Sequence, residues 1–206
     1  MAFPDKSYSD AGSFADAYFA LAERAAASVD RRRLQQAADI LTGVHLRGGM
    51  IYSCGNGGSA AIANHLVCDH CKAVQSDTAL TPRIYSLSAT IEIMTAVSND
   101  LSYDEVFVYQ LRSLAKPGDA LVSISSGGDS ENIVRAASWA KDHEVAVIAM
   151  TGFSGGRSAA LADVNLHVDA HNYGVVEDVH QSLMHILAQY IRQAHMDEHT
   201  IPLRKF

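Results

Sequence analysis

No stretch of the chain approaches the roughly 20 consecutive apolar residues that a membrane-spanning helix needs. The first ten residues have neither a basic start nor an apolar core, so no secretory leader is expected. Cysteine is scarce. Cys54, Cys68 and Cys71 are the only three, an odd number without framework spacing, which fits a reducing cytoplasm and not a disulfide-stapled secreted fold. Cations are outnumbered, 16 Lys and Arg against 23 Asp and Glu, and the net charge of −7 disfavours general nucleic-acid binding, which needs positive charge to neutralise phosphates. No Gly-Lys-Ser/Thr closes a Walker A loop and no GxGxxG occurs, which disfavours nucleotide hydrolysis. Internal repeats, low-complexity tracts and linkers are also missing, so the 206 residues are expected to form one domain in the cytoplasm.

What the chain does have is a strand–turn–helix at its centre. Met50 to Cys54 is a short apolar run, Gly55-Asn-Gly-Gly58 is a turn, and Ser59 opens an alanine-rich helix. Glycines let backbone N–H groups come close to a ligand, and a helix N-terminus attracts anions, so this is a natural phosphate cradle. Within the same helix His65 and Asp69 are four apart and share a face.

The pattern then recurs. Strands are expected at Arg83–Leu87, Asp119–Ser125, Val145–Met150 and, alternating like an edge strand, Val164–Val168; helices are expected at 90–97, 131–141, around 158–162 and 176–195. Apolar strands alternating with helices predict an α/β fold, a doubly wound five-stranded parallel sheet flanked by helices, with ligands beyond the strands' C-terminal ends. Residues 1–48 read as an N-terminal helical segment, 49–195 as sheet and helices, and 196–206 as a tail. In the first segment, Phe14, Tyr18, Leu21 and Ala25 form one stripe and Leu34, Ala37, Ala38, Leu41 and Val44 another, with Asp30 as a cap between them. Those stripes suit packing on the core or on a partner subunit.

A second loop, Ser123-Ile-Ser-Ser-Gly-Gly-Asp-Ser130, follows the third strand and precedes a helix. Its bland reading is a polar turn with Asp129 or Ser130 as N-cap. Two such loops at the ligand edge of one small domain favour a phosphorylated small molecule, with Ser125, Ser126 and Ser130 as hydroxyl donors. In the last helix Glu177, Gln181 and His185 are spaced by four, a polar strip near its start. His180 reads as a satisfied core residue, whereas His185 has more unusual neighbours. Cys68 and Cys71 form a lone CxxC inside a helix and read as small buried residues; a zinc-thiolate or redox role is the lesser reading.

Taken in order, GNGGSAA at 55–61, Val97-Ser-Asn99-Asp100 with Tyr103-Asp-Glu-Val-Phe107, ISSGGDS at 124–130 and Met150-Thr-Gly152 with Gly155-Gly156 resemble the phosphoheptose isomerases. These are SIS (sugar isomerase) domains that interconvert sedoheptulose 7-phosphate and an aldoheptose phosphate. The resemblance runs to about His195. It implies substrate contacts from Asn56, Gly57, Gly58, Ser59, Asn99, Asp100 and Glu177, and a phosphate grip by Ser125, Ser126 and Ser130. It also implies zinc on His65, Asp69, Glu177 and His185, proton transfer by Asp69 and His185, and a homotetramer with no nucleic-acid or membrane partner. The chain departs from the family at several places. Asp69 stands where Glu is typical, Glu177 where Gln is typical, Gly127 where Ser or Thr is, and Asp129 where Asn is; Lys72 is left to stand in for a lost Arg. These departures keep two alternatives open: a non-catalytic sugar-phosphate-binding or protein-binding regulator of the kind associated with replication initiators, or an isomerase for another phosphosugar.

Overall fold

Five strands and eight α-helices make up the architecture of the computed structural model, which describes residues 3–206. The strands are β1 (Ile51–Gly55), β2 (Ile84–Ser86), β3 (Ala120–Ser125), β4 (Ala146–Thr151) and β5 (Val164–His167), all parallel in the order β2-β1-β3-β4-β5. The helices are α1 (Ala11–Ser28), α2 (Arg31–Leu46), α3 (Gly58–Cys68), α4 (Ile91–Asp100), α5 (Val108–Leu114), α6 (Glu131–Asp142), α7 (Gly156–Leu161) and α8 (Tyr173–Ala194). No helix among the described residues is long and apolar enough to cross a membrane.

Alternation along each strand divides the core into two layers. Ile51, Val122, Ile124, Ile148 and Met150 face a cluster built by α1, α2, α3 and α8. Tyr52, Cys54, Leu121 and Val147 face the other cluster, with Phe107, Leu111 and Ile133 from the α5 and α6 side. Because β2 is reached in one direction from β1 and β3 in the other, the sheet reverses its winding between β1 and β3, which is where doubly wound folds bind ligands. The loops after β1 and β3 flank that point.

The N-terminal helices form as expected. The Asp30 side chain accepts from the backbone N–H of Arg32 and Arg33 and so caps α2. Tyr18 of α1 reaches α8, its hydroxyl donating to Asp178 at 2.7 Å, while Phe19 stays 68% exposed. Three boundaries differ from expectation. Helix α4 runs on to Asp100, so Asn99 and Asp100 are its last turn and not a loop. A helix at 108–114 went unforeseen because its seven residues give too short a period. Helix α8 starts at Tyr173, capped by the Asn172 side chain on the Val175 N–H, so Glu177 is in its second turn.

The expectation that Cys68 and Cys71 are buried is overturned: both are exposed, and Cys54 is the buried one. The reason is a change of helix type. After Cys68 the chain widens into a π-helical turn, Asp69–Val74, in which His70 and Val74 are the inward residues; this turns Cys71 and Lys72 to solvent. The tail folds back over the end of this segment. Arg192 of α8, nearly buried, bonds to Asp77 at 2.9 Å, Arg204 bonds to the same carboxylate at 3.0 Å, and Phe206 lies over the Arg192 guanidinium.

Candidate active site

Helices α3 and α8 lie side by side and run the same way, and the site is spread along the pair. At their N-terminal end, Glu177 packs its carboxylate directly over the Cα of Gly58, where any side chain would displace it. Here a cavity of about 310 Å³ is lined by Asn56, Ser59, Ser125, Ser126, Ser130 and Glu177, with Gly127, Asp129 and Tyr173 completing the wall. The N-termini of α3 and α6 both point toward it, and neither carries a side-chain cap bond. The Ser126 hydroxyl is buried without a hydrogen-bond partner among the described residues, while Ser125 Oγ accepts from the Gly128 N–H at 3.1 Å. Gly128 has φ +73° and a Cβ there would run into the Gly155 carbonyl, so the serine loop is tied to the loop after β4.

The loops are cross-braced by side chains. Asn56 and Asn132 exchange amide hydrogen bonds at 3.0 Å each way, and Tyr103 donates to Asn56 Oδ1 at 2.8 Å. Asp129 of this loop is not loose. Arg157 donates to its Oδ1 from both backbone N and Nε at 3.0 Å and to Glu131 at 2.9 Å. The Arg157 backbone bond, then the guanidinium, hold the Asp129 carboxyl below its ordinary range. Burial, then Asp178 beside it, push the Glu177 carboxyl above its own.

Farther along the pair, His65 and Asp69 of α3 and its π turn meet His185 of α8. His185 Nδ1 is 2.7 Å from Asp69 Oδ2 and His65 Nε2 is 3.3 Å from Asp69 Oδ1; the two imidazoles stand edge to face at 85° with centroids 4.9 Å apart. One donor atom from each of these residues lies within 4.8 Å of the others, a spacing able to hold a cation. Two ligands each about 2.0–2.1 Å from a tetrahedral zinc are roughly 3.4 Å apart, and the 3.3 Å between His65 Nε2 and Asp69 Oδ1 matches this. Two imidazoles and a carboxylate are a suitable donor set for zinc. Glu177 lies outside this group, at the cavity.

Asn99 and Asp100 are placed elsewhere. Asn99 lines a separate cavity of about 690 Å³ with Ser88, Met94 and Tyr103, and its amide donates to Asp100 at 2.8 Å. Tyr103 is the link between the two cavities. Lys72 is exposed. His180 is fully buried, its Nε2 3.2 Å from the Thr151 carbonyl; burial pushes it down to about 4. Sequence reasoning passed over Gln181, whose Nε2 is 3.0 Å from His65 Nδ1 and 2.9 Å from His185 Nε2. Its spacing of four from His185 was the available signal. The grip of Arg157 on Asp129 was also unforeseen, since only the fold brings the two loops together.

A five-stranded parallel sheet with a serine loop at its switch point is the layout of a SIS domain, and residues 13–152 match the SIS domain family model. A phosphoheptose isomerase from Alteromonas mediterranea is 34% identical over 170 residues, 81% of this chain and 85% of that protein. The structure of phosphoheptose isomerase GmhA from Neisseria gonorrhoeae superposes with a TM-score of 0.80 at 32% identity, covering 88% of this chain and 99% of the other. That of a phosphoheptose isomerase from Francisella tularensis gives 0.78 at 29% identity, covering 88% and 96%. The chain belongs to the phosphoheptose isomerase family of SIS-domain proteins.

Proposed function

We propose that this protein is an aldose–ketose isomerase that converts sedoheptulose 7-phosphate to an aldoheptose 7-phosphate through a cis-enediol. The observation that carries this reading is the separation of two different sites along one helix pair. From Gly58 to His65 is seven residues and from Glu177 to His185 eight, which at 1.5 Å per residue is about 10 and 12 Å. An extended seven-carbon phosphate spans roughly 10 Å from its carbonyl end to phosphorus, taking C–C bonds of about 1.5 Å in zigzag. The serine cavity suits the phosphate, with Ser125, Ser126 and Ser130 donating and the two helix N-termini supplying partial positive charge. Asn56, Gly57, Gly58, Ser59 and Glu177 then face the sugar, and Asn99 contributes through the cavity joined at Tyr103, with Asp100 hydrogen-bonded to it.

At the far end, Asp69 and His185 carry the proton between the two carbons of the enediol. Their 2.7 Å hydrogen bond lets each hold the proton the other gives up, and Asp69 is mostly screened from water. His65, Asp69 and His185 would hold the metal, zinc being the best fit, while Glu177, two helical turns away at the cavity, is not part of that set. When bound, the cation supplies polarisation of the substrate carbonyl. Ligation and proton transfer compete for Asp69 and His185, so the two roles alternate or only one of them holds, and replacing Asp69 tests the assignment. An Asp69→Asn protein is expected to lose about 10²- to 10⁴-fold in kcat, measured in a coupled assay. Undiminished turnover would refute it. Retention of Asp69, His65 and His185 in one cluster favours the enzyme over a non-catalytic regulator.

The protein assembles as a homotetramer in this reading. Phe19, Ile91 and Leu101, at 68%, 69% and 58% exposure, are apolar surface of the kind subunit contacts cover. Light scattering at micromolar concentration is expected to give four times the 22.1 kDa chain mass.

A further inference from the structure

We propose that Gln181 is a positioning residue that selects the tautomers of both metal-site imidazoles, and that a flip of its amide converts the site from a metal-free to a metal-accepting form. The inference rests on the reading of His65, Asp69 and His185 as a metal site.

The geometry is a closed four-membered ring of side chains. Each imidazole turns one nitrogen toward Asp69, His65 through Nε2 at 3.3 Å and His185 through Nδ1 at 2.7 Å. Each turns its other nitrogen toward the same amide: His65 Nδ1 is 3.0 Å and His185 Nε2 2.9 Å from Gln181 Nε2. A neutral imidazole carries one N–H, and which nitrogen bears it is decided by the partner opposite. With the NH₂ of Gln181 facing the rings, both outer nitrogens are acceptors. Both inner nitrogens then carry hydrogen and donate to the Asp69 carboxylate. That arrangement gives all four imidazole nitrogens a partner without a cation, and it leaves neither imidazole a lone pair for one.

Rotating the amide by 180° brings Oε1 to the same place, with almost no change in shape. A carbonyl oxygen has two lone pairs and accepts from both outer N–H groups. The inner nitrogens then present lone pairs beside Asp69, and three donors converge where a cation would sit. Ligating histidines characteristically donate their second N–H to an acceptor of this kind. Here one acceptor serves two ligands. Both states keep one proton on each imidazole, so the conversion needs a change of tautomer and no net protonation.

The test compares wild type with Gln181→Leu, which keeps the volume and removes the hydrogen bonds, and Gln181→Glu, which can only accept. Zinc affinity is measured on metal-stripped protein by competition with a chromophoric chelator. Imidazole ¹⁵N spectra with and without zinc report the tautomers, and far-UV circular dichroism confirms folding. Metal-free wild type is expected to show His65 as the Nε2–H form and His185 as the Nδ1–H form, with both inverted on zinc binding. Gln181→Leu should bind zinc about 10- to 100-fold more weakly and show mixed tautomers, whereas Gln181→Glu should bind at least as tightly as wild type and keep the inverted tautomers. Wild-type affinity and wild-type tautomers in Gln181→Leu would overturn the proposal while leaving the metal reading intact. Should wild type bind no zinc, the metal reading fails, and the metal-free spectra decide the tautomer assignment: a change in Gln181→Leu supports it and no change overturns it.

Discussion

His45 Nε2 and His70 Nδ1 are 2.9 Å apart in the interior, joining α2 to the π turn that begins with Asp69. Burial first, and then His195, push His45 down to about 4; burial and then His45 itself push His70 to about 3. Both rings are therefore neutral near pH 7, so one donates and the other accepts. Their remaining nitrogens, His45 Nδ1 and His70 Nε2, have no partner among the described residues. Breaking this bond from one side should be costly. His70→Leu is expected to lose about 1–3 kcal/mol, because it strands a buried His45 nitrogen. A His45→Leu/His70→Leu double variant should recover part of that loss. Urea unfolding of wild type and the two variants measures it; a double variant less stable than His70→Leu alone would contradict the account.

His180 gives a pH dependence of definite sign. Its folded pKa, about 4, lies below the ordinary 6.5. Above pH 6.5 it is neutral in both folded and unfolded chains and contributes no pH dependence. As pH falls from 6.5 toward 4 the unfolded chain takes up a proton that the folded chain refuses. Stability should then drop by about 1.4 kcal/mol per pH unit from this group alone. His180→Gln is expected to make the stability curve less steep across that window, with His45 and His70, held down in the same way, keeping their own share. A curve as steep as that of wild type would show that His180 is not the source.

Ser126 and Ser123 both have buried hydroxyls without partners, yet only Ser126 lines the cavity. Removing Ser126 Oγ should take one hydrogen bond from a charged phosphate, about 1.5–3 kcal/mol or roughly 10- to 100-fold in KM. Ser123→Ala should leave KM unchanged. Steady-state kinetics on the two variants distinguish a phosphate contact from a general effect of losing a buried hydroxyl.

Arg157 is expected to matter for substrate affinity although it is not among the residues lining the cavity. In Arg157→Met, Asp129 loses its only ion-pair partner among the described residues and its carboxylate is free to swing toward the phosphate. KM should rise while kcat changes little, and added salt should reduce the difference by screening the repulsion. An effect insensitive to ionic strength would point to a loop distortion instead.

Most of the fold was legible because strands buried on both faces read as unbroken apolar runs. The Gly55–Ser59 and Ser123–Ser130 loops announced themselves through composition. The π turn was not legible: nothing in Asp69-His-Cys-Lys-Ala-Val74 distinguishes a five-residue from a four-residue hydrogen-bond step, so the exposure of Cys71 was misread. His65, Asp69 and His185 were found through spacing and family likeness. Gln181 was passed over because an amide in a polar strip has no chemistry of its own until two imidazoles are placed against it. The Asp129–Arg157 pair joins residues 28 apart through a glycine–glycine contact, a tertiary fact without local trace.

The π turn also limits how the chain can change in length. It holds one residue more than an α-helical path would, with His70 and Val74 locked inward by the His45 bond and the core. Removing one residue from 71–73 would restore an ordinary α-helical path, but adding a further one would rotate all that follows by about 100° around the helix axis. Val74 would leave the core, and Asp77 would swing away from Arg192 and Arg204. Point changes at the solvent-facing Cys71 and Lys72 should pass almost unnoticed. This six-residue stretch is thus tolerant in composition and intolerant of added length.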